Sequence, residues 1–175
     1  MPVIRVPTTA MPRGRFFRVA FAAAALLATA PGSAAEKSYM TLVAELVGIV
    51  ETPRYLQEAC GHRLPDRQAK LLAEYQAWRK RHSDLLAAIA LQIDKANARA
   101  RRQGASVSIT DLSTAGAQVM RDKMDSINEA QAREICGEYS KILRDKDVSM
   151  ADAVPRRLAA IEEADRQLSA SEQRP

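Results

Sequence analysis

Four side chains carry most of the chemistry this chain could do with a soft ligand: Cys60, His62, His82 and Cys136. Two thiolates and two imidazoles form a donor set suited to zinc, and Cys60 and His62 are close enough in sequence to chelate one ion together. Their spacing nevertheless matches no zinc-binding pattern, and a bond between the two thiols would remove both thiolate ligands. No metal is therefore expected. A disulfide between Cys60 and Cys136 is predicted instead. It would close a loop of some 76 residues, worth about 4 kcal/mol by loop-closure entropy.

His82 raises a second chemistry. It falls in an apolar seam, one heptad from Tyr75 and one turn from Trp78. An imidazole held between helices could ligate a haem iron, with Met120 or Met124 on a facing helix as second ligand. No Cys-x-x-Cys-His segment exists for covalent haem attachment. The expectation is that His82 is a histidine at the core edge, hydrogen-bonded across the bundle, and no cofactor is predicted. Arg79 begins a run with Lys80 and Arg81 that could attract an anion. Successive helical positions point in different directions, so the three charges are expected to lie on a solvated face.

Acid–base and nucleophilic chemistry find less support. Glu162 and Glu163 are adjacent, and Glu134 and Glu138 are one turn apart, with no histidine or nucleophile beside either pair. The chain has no glycine-rich phosphate loop, no Gly-x-Ser-x-Gly elbow and no His-Glu-x-x-His helix. Catalytic residues are not expected, and the chain reads as a non-enzyme.

The elements that must position these residues follow from apolar spacing. Pro65 to Arg102 lacks any further Gly or Pro, and Leu71, Tyr75, Trp78, Leu85, Ile89, Ile93, Ala96 and Ala100 recur at helical intervals. As one helix it would be roughly 55 Å long. It is preceded by an amphipathic stretch with Tyr39, Leu42, Val43, Leu46, Val47 and Val50 on one face, interrupted at Thr52-Pro53 and ended by Gly61 as a left-handed cap. After Gln103-Gly104, Ser108 and Asp111 have capping-box spacing for a third helix reaching about Asp145. Asp147-Val148-Ser149 is taken as a break before a short last helix with Pro155 near its start. The predicted fold is thus all-α: an antiparallel bundle of three to four helices built on a long central helical hairpin. Residues 36–170 form one domain, and 171–175 a disordered tail.

The first 35 residues have the three-part form of a secretory signal. Arg5, Arg13, Arg15 and Arg18 precede the apolar run Val19 to Ala30, and Ser33 and Ala35 occupy the small positions a signal peptidase needs. Cleavage is expected after Ala35, and either Met1 or Met11 could be the start. Twelve apolar residues are too few to span a bilayer comfortably. The whole chain has 26 Lys+Arg against 21 Asp+Glu. Setting aside the leader's four arginines leaves 22 against 21, so the mature chain is nearly neutral. The positive charge that would suggest a nucleic-acid partner belongs mostly to the leader.

Two short stretches bear a likeness to helices of known families. Tyr75-Gln76-Ala77-Trp78-Arg79 is faintly similar to a helix of small exported lysozyme-inhibitor-like proteins, and LPDRQAKLL from Leu64 resembles the start of stress-induced periplasmic helical chaperones. The first family carries more cysteines, and the second a Leu-Thr-x-x-Gln motif absent here, so neither likeness is carried over. The sequence points to a periplasmic or secreted, non-enzymatic module that binds another exported or envelope protein or acts as a chaperone. A methionine-rich third helix is the adaptable surface such a role can use. Trp78, Arg79, His82, Met120 and Met124 are the candidate interaction residues, and a haem- or metal-binding bundle centred on His82 is the alternative.

Overall fold

The computed structural model describes residues 34–105 and 108–172, and they are helical nearly throughout. The elements are α1 (Ala34–Arg63), a 3-10 turn (Pro65–Arg67), α2 (Gln68–Arg81), α3 (Ser83–Arg102), α4 (Ile109–Asp125), α5 (Glu129–Gly137) and α6 (Tyr139–Glu172). No strand occurs among the described residues. Most of the expected leader, residues 1–33, and the end of the expected tail, residues 173–175, lie outside them. No helix of the described residues is long and apolar enough to cross a membrane.

The organising element is α1, which packs against every other helix. Tyr39, Val43, Leu46, Val47, Val50, Leu56, Ala59 and Cys60 are all buried along it. Side-chain pairs give the directions of the others. Arg99 lies over Tyr39 while Gly61 faces Gln68, so α2 and α3 run antiparallel to α1. Ser113 meets Glu51-flanking residues Arg54 and Tyr55, and His62 meets Asp125, so α4 runs parallel to it. Tyr139 meets Pro53 and Arg157 meets Glu45, so α6 returns antiparallel. The course is up, down, up, down, and α4 packs on α1 more than on α3. The contacts gather on the first helix and do not bring out the central hairpin expected from the sequence.

The expected helix boundaries are corrected in all four predicted helices. α1 passes through Pro53 and Gly61 and ends at Arg63. A proline removes one backbone hydrogen bond, but burial on several sides outweighs that cost here. The carbonyl of Pro53 accepts a buried hydrogen bond of 3.0 Å from the Tyr139 hydroxyl. Gly61 is helical, and among the described residues positive φ occurs at Gly104 (77°), which closes α3.

The expected helix from Pro65 to Arg102 divides at His82 (φ −111°, ψ 19°). Its seam is otherwise as predicted, with Leu71, Trp78, Ile89 and Ala96 buried and Tyr75, Leu85 and Ile93 packed partly against them. The expected third helix is likewise three pieces. Asn128 caps α5 in a capping box with Gln131, and Glu138 separates α5 from α6. By contrast, Asp147-Val148-Ser149 breaks nothing, and Pro155 lies inside α6. The heptad-like series Tyr139, Leu143, Met150, Val154, Ile161 and Leu168 is buried throughout, and that continuous apolar contact carries α6 across both positions.

Candidate functional site

Cys60 and Cys136 form a disulfide, with S–S 2.05 Å and Cα–Cα 5.7 Å. Both are buried. The turn at residues 126–128 makes this pairing possible, because it brings α5 back beside the end of α1. An unbroken third helix would have carried Cys136 about three turns past the level of His62 and Asp125. Arg133 of α5 adds an ion pair with Asp66 at 3.1 Å at the same end, and Asp66, held by Arg133, has its carboxyl lowered from the ordinary value.

Beside the disulfide an open groove of about 520 Å³ lies between the last turns of α1 and the start of α2. Gln57, Glu58, Gly61 and His62 come from α1, and Pro65, Gln68 and Leu72 from the turn and α2. Leu72 is 41% exposed, which leaves an apolar side chain in contact with solvent. Gln57 is only 7% exposed, yet no described residue hydrogen-bonds its side-chain amide. Its amide atoms are not among the sealed, partnerless polar atoms of the described residues, so what little of Gln57 is exposed includes its amide, which faces the open groove with its hydrogen bonds untaken by protein.

Glu58 links the groove to a polar cluster between α1 and α4. Arg54 donates to Glu51 at 2.6 Å, to Glu58 at 2.8 Å and to Ser113 at 3.1 Å. The Tyr55 hydroxyl donates to Ser113 Oγ at 2.9 Å, and Ser113 donates to Glu51 at 3.1 Å. Burial pushes the Tyr55 phenol above its ordinary pKa. The Arg54 guanidinium is held protonated by its two glutamates against its desolvation. The spacing of Glu51, Arg54 and Glu58 is that of helical ion pairs, a signal present in the sequence but not singled out there. Neither the groove nor its tie to Ser113 has any sequence signature.

The residues singled out from sequence take two separate positions. His82 sits at the junction of α2 and α3, with Nε2 2.7 Å from Asp147 Oδ1 of α6 and Arg81 reaching the other carboxylate oxygen at 3.3 Å. The carboxylate accepts, so Nε2 carries the hydrogen. Trp78 is fully buried, its ring 5.2 Å from the imidazole and 6.3 Å from Tyr75. Arg79 lies over the Tyr75 ring at 5.9 Å. Met120 and Met124 are elsewhere. Ser113 is level with Tyr55 and Asp125 with His62, so both methionines lie toward the disulfide end. His82 is fourteen residues into α2 from that end, about 20 Å along the axis. The fold does not bring the methionines to the histidine.

Among the described residues no group of three or more His, Cys, Asp or Glu side chains is arranged to hold a metal ion. His62 and Asp125 approach only to 3.9 Å and are both well exposed. No family model matches the chain, and neither a curated protein nor a solved structure resembles it significantly.

Proposed function

We propose that this chain is an exported, non-enzymatic helical module that binds another protein of the periplasm or cell envelope, and that it does so at the groove between α1 and α2. The observation that carries this reading is the groove itself, with the unpartnered amide of an otherwise buried Gln57 in its lining and an exposed Leu72 beside it. The Cys60–Cys136 bond, whose Cys60 adjoins Gly61 of the groove lining, is the covalent chemistry of an oxidising compartment. The leader-like first 35 residues support the same location. A haem centred on His82 draws no support from the geometry, since Asp147 occupies Nε2 and neither Met120 nor Met124 is within reach.

The experiment is site-specific photocrosslinking in the native host at native expression. A photoreactive residue at Leu72 is expected to give one discrete protein adduct in the envelope fraction, while the same group at Leu91, exposed on α3, gives none. Intact mass of the isolated chain should correspond to a start at Glu36. Recovery of uncrosslinked monomer from both positions, or equal adducts from both, would sink the groove reading.

A further inference from the structure

We infer that the groove recognises the main-chain amides of an extended polypeptide segment, with the Gln57 side chain as its central polar contact; this rests on the protein-binding reading above. A glutamine amide presents one acceptor oxygen and two donor hydrogens, the complement of a peptide group. Gln57 is more than nine-tenths buried, and no described residue takes any of those bonds. Its amide is not sealed in the interior, because the residue lines the open groove.

Gly61 is what leaves the amide accessible. A Cβ built there would come within 3.7 Å of Gln57 Nε2 and 3.2 Å of Gln68 Cγ. The missing side chain therefore opens the space directly over the amide, and Gln68 supplies a second amide on the far wall. Pro65 and Leu72, at the two ends of the α2 wall, are separated by roughly 10 Å of helix, which accommodates about three residues of extended chain. One apolar side chain of such a segment would rest on Leu72, while its backbone meets Gln57. Main-chain recognition of this kind takes many sequences, as a chaperone-like or adaptor role requires.

The test uses the full mature chain, disulfide intact, with nitrogen-15 labelling. The probe is an end-blocked five-residue peptide of alternating alanine and leucine, beside the same peptide N-methylated at every amide. The expected result is a saturable shift of the Gln57 side-chain amide signals with the parent peptide and a clearly weaker one with the methylated peptide, which keeps its carbonyl acceptors but has lost every N–H donor. Gly61→Ala is the informative variant. Gly61 is helical and the nearest contact is a flexible, exposed Gln68 side chain, so alanine should fold at least as well, yet it should weaken peptide binding about tenfold by covering the amide. Gln57→Leu should weaken it similarly, the loss of one or two hydrogen bonds.

Equal binding of the methylated peptide, or undiminished binding by Gly61→Ala, overturns amide recognition and leaves apolar docking on Leu72, with the protein-binding reading intact. No shift with either peptide, alongside a discrete adduct from Leu72, also overturns it and points to a folded partner surface. Absence of both the shift and the adduct removes the protein-binding reading as well.

Discussion

Nε2 of His82 lies 2.7 Å from Oδ1 of Asp147, joining the break between α2 and α3 to the middle of α6 across 65 residues of sequence. The pair explains two features at once. It holds the break at a fixed position on the bundle, and it gives Asp147 a partner inside a helix where an aspartate would otherwise favour a turn. Arg81 shares the same carboxylate. The imidazole side chain is 15% exposed and the carboxylate 34%, so the pair keeps some water and its coupling is modest.

A double-mutant cycle with His82→Gln and Asp147→Asn should therefore give a coupling of about 1 kcal/mol, at the upper end for partly exposed charge-assisted pairs. Urea unfolding followed by the fluorescence of Trp78, the chain's one tryptophan, is the measurement. The indole lies 5.2 Å from the imidazole, so His82→Gln should also change the native emission. Additive single mutants with unchanged emission would show that the clasp does not hold the break.

The break at His82 could have been read from the sequence. Arg79, Lys80 and Arg81 are cations suited to a helix C-terminus, and Ser83 and Asp84 suit the next N-terminus; the continuous apolar seam masked that signal. Asn128 and Gln131 likewise have the spacing of a capping box, as Ser108 and Asp111 do. The capping box at Ser108 was legible because Gly104 announced an end before it. At Asn128 no glycine or proline did so. The breaks expected at Pro53 and Asp147 failed for the opposite reason: local preference was outweighed by long-range burial against α1. The groove was illegible altogether, since it depends on how Gly61 in one helix faces Gln68 in another.

Removing the disulfide with Cys60→Ser and Cys136→Ser together should lower unfolding free energy by about 4 kcal/mol, the loop-closure value for residues 76 apart. Urea midpoints with and without reductant measure it. Wild type should fall to the mutant midpoint under reductant, and the mutant should not respond. A loss under 1 kcal/mol would mean that the reduced chain is held together at this end by other contacts, chiefly Arg133 with Asp66.

Gly116→Ala tests the contact between α1 and α4. Alanine normally stabilises a helix interior by up to about 1 kcal/mol relative to glycine. Here the added Cβ would come within 3.0 Å of Tyr55 Cε2 and 3.3 Å of Cζ. The ring has little freedom to yield, being tied to Ser113 through its hydroxyl and covered by Arg54 at 4.9 Å. Overpacking of this kind costs about 1–3 kcal/mol, so the net effect should be destabilising. Thermal unfolding of Gly116→Ala beside the double variant Gly116→Ala/Tyr55→Leu, which removes the clash, decides between the two effects. A higher melting temperature for the single variant would show that α4 moves away from α1 without penalty.

Stability should fall at alkaline pH, because all four tyrosines with shifted phenols, Tyr39, Tyr55, Tyr75 and Tyr139, are raised chiefly by burial. A group whose folded pKa is raised contributes its full stabilisation below the unfolded value, about 10 for tyrosine, and loses it as pH rises toward the folded value. Lys146 works the other way. Burial lowers its pKa, so the folded chain sheds that proton first and gains stability with pH until the unfolded lysine also titrates near 10.4. One lysine against four tyrosines leaves a net loss beginning near pH 10. Urea midpoints from pH 8 to 11, with tyrosinate absorbance recorded alongside, should show ionisation coinciding with unfolding instead of preceding it. Tyr139→Phe removes the most strongly shifted phenol together with its hydrogen bond to Pro53. It should cost about 1 kcal/mol at neutral pH and flatten the alkaline slope, whereas ionisation of all four tyrosines in the folded chain would show that their rings are open to solvent.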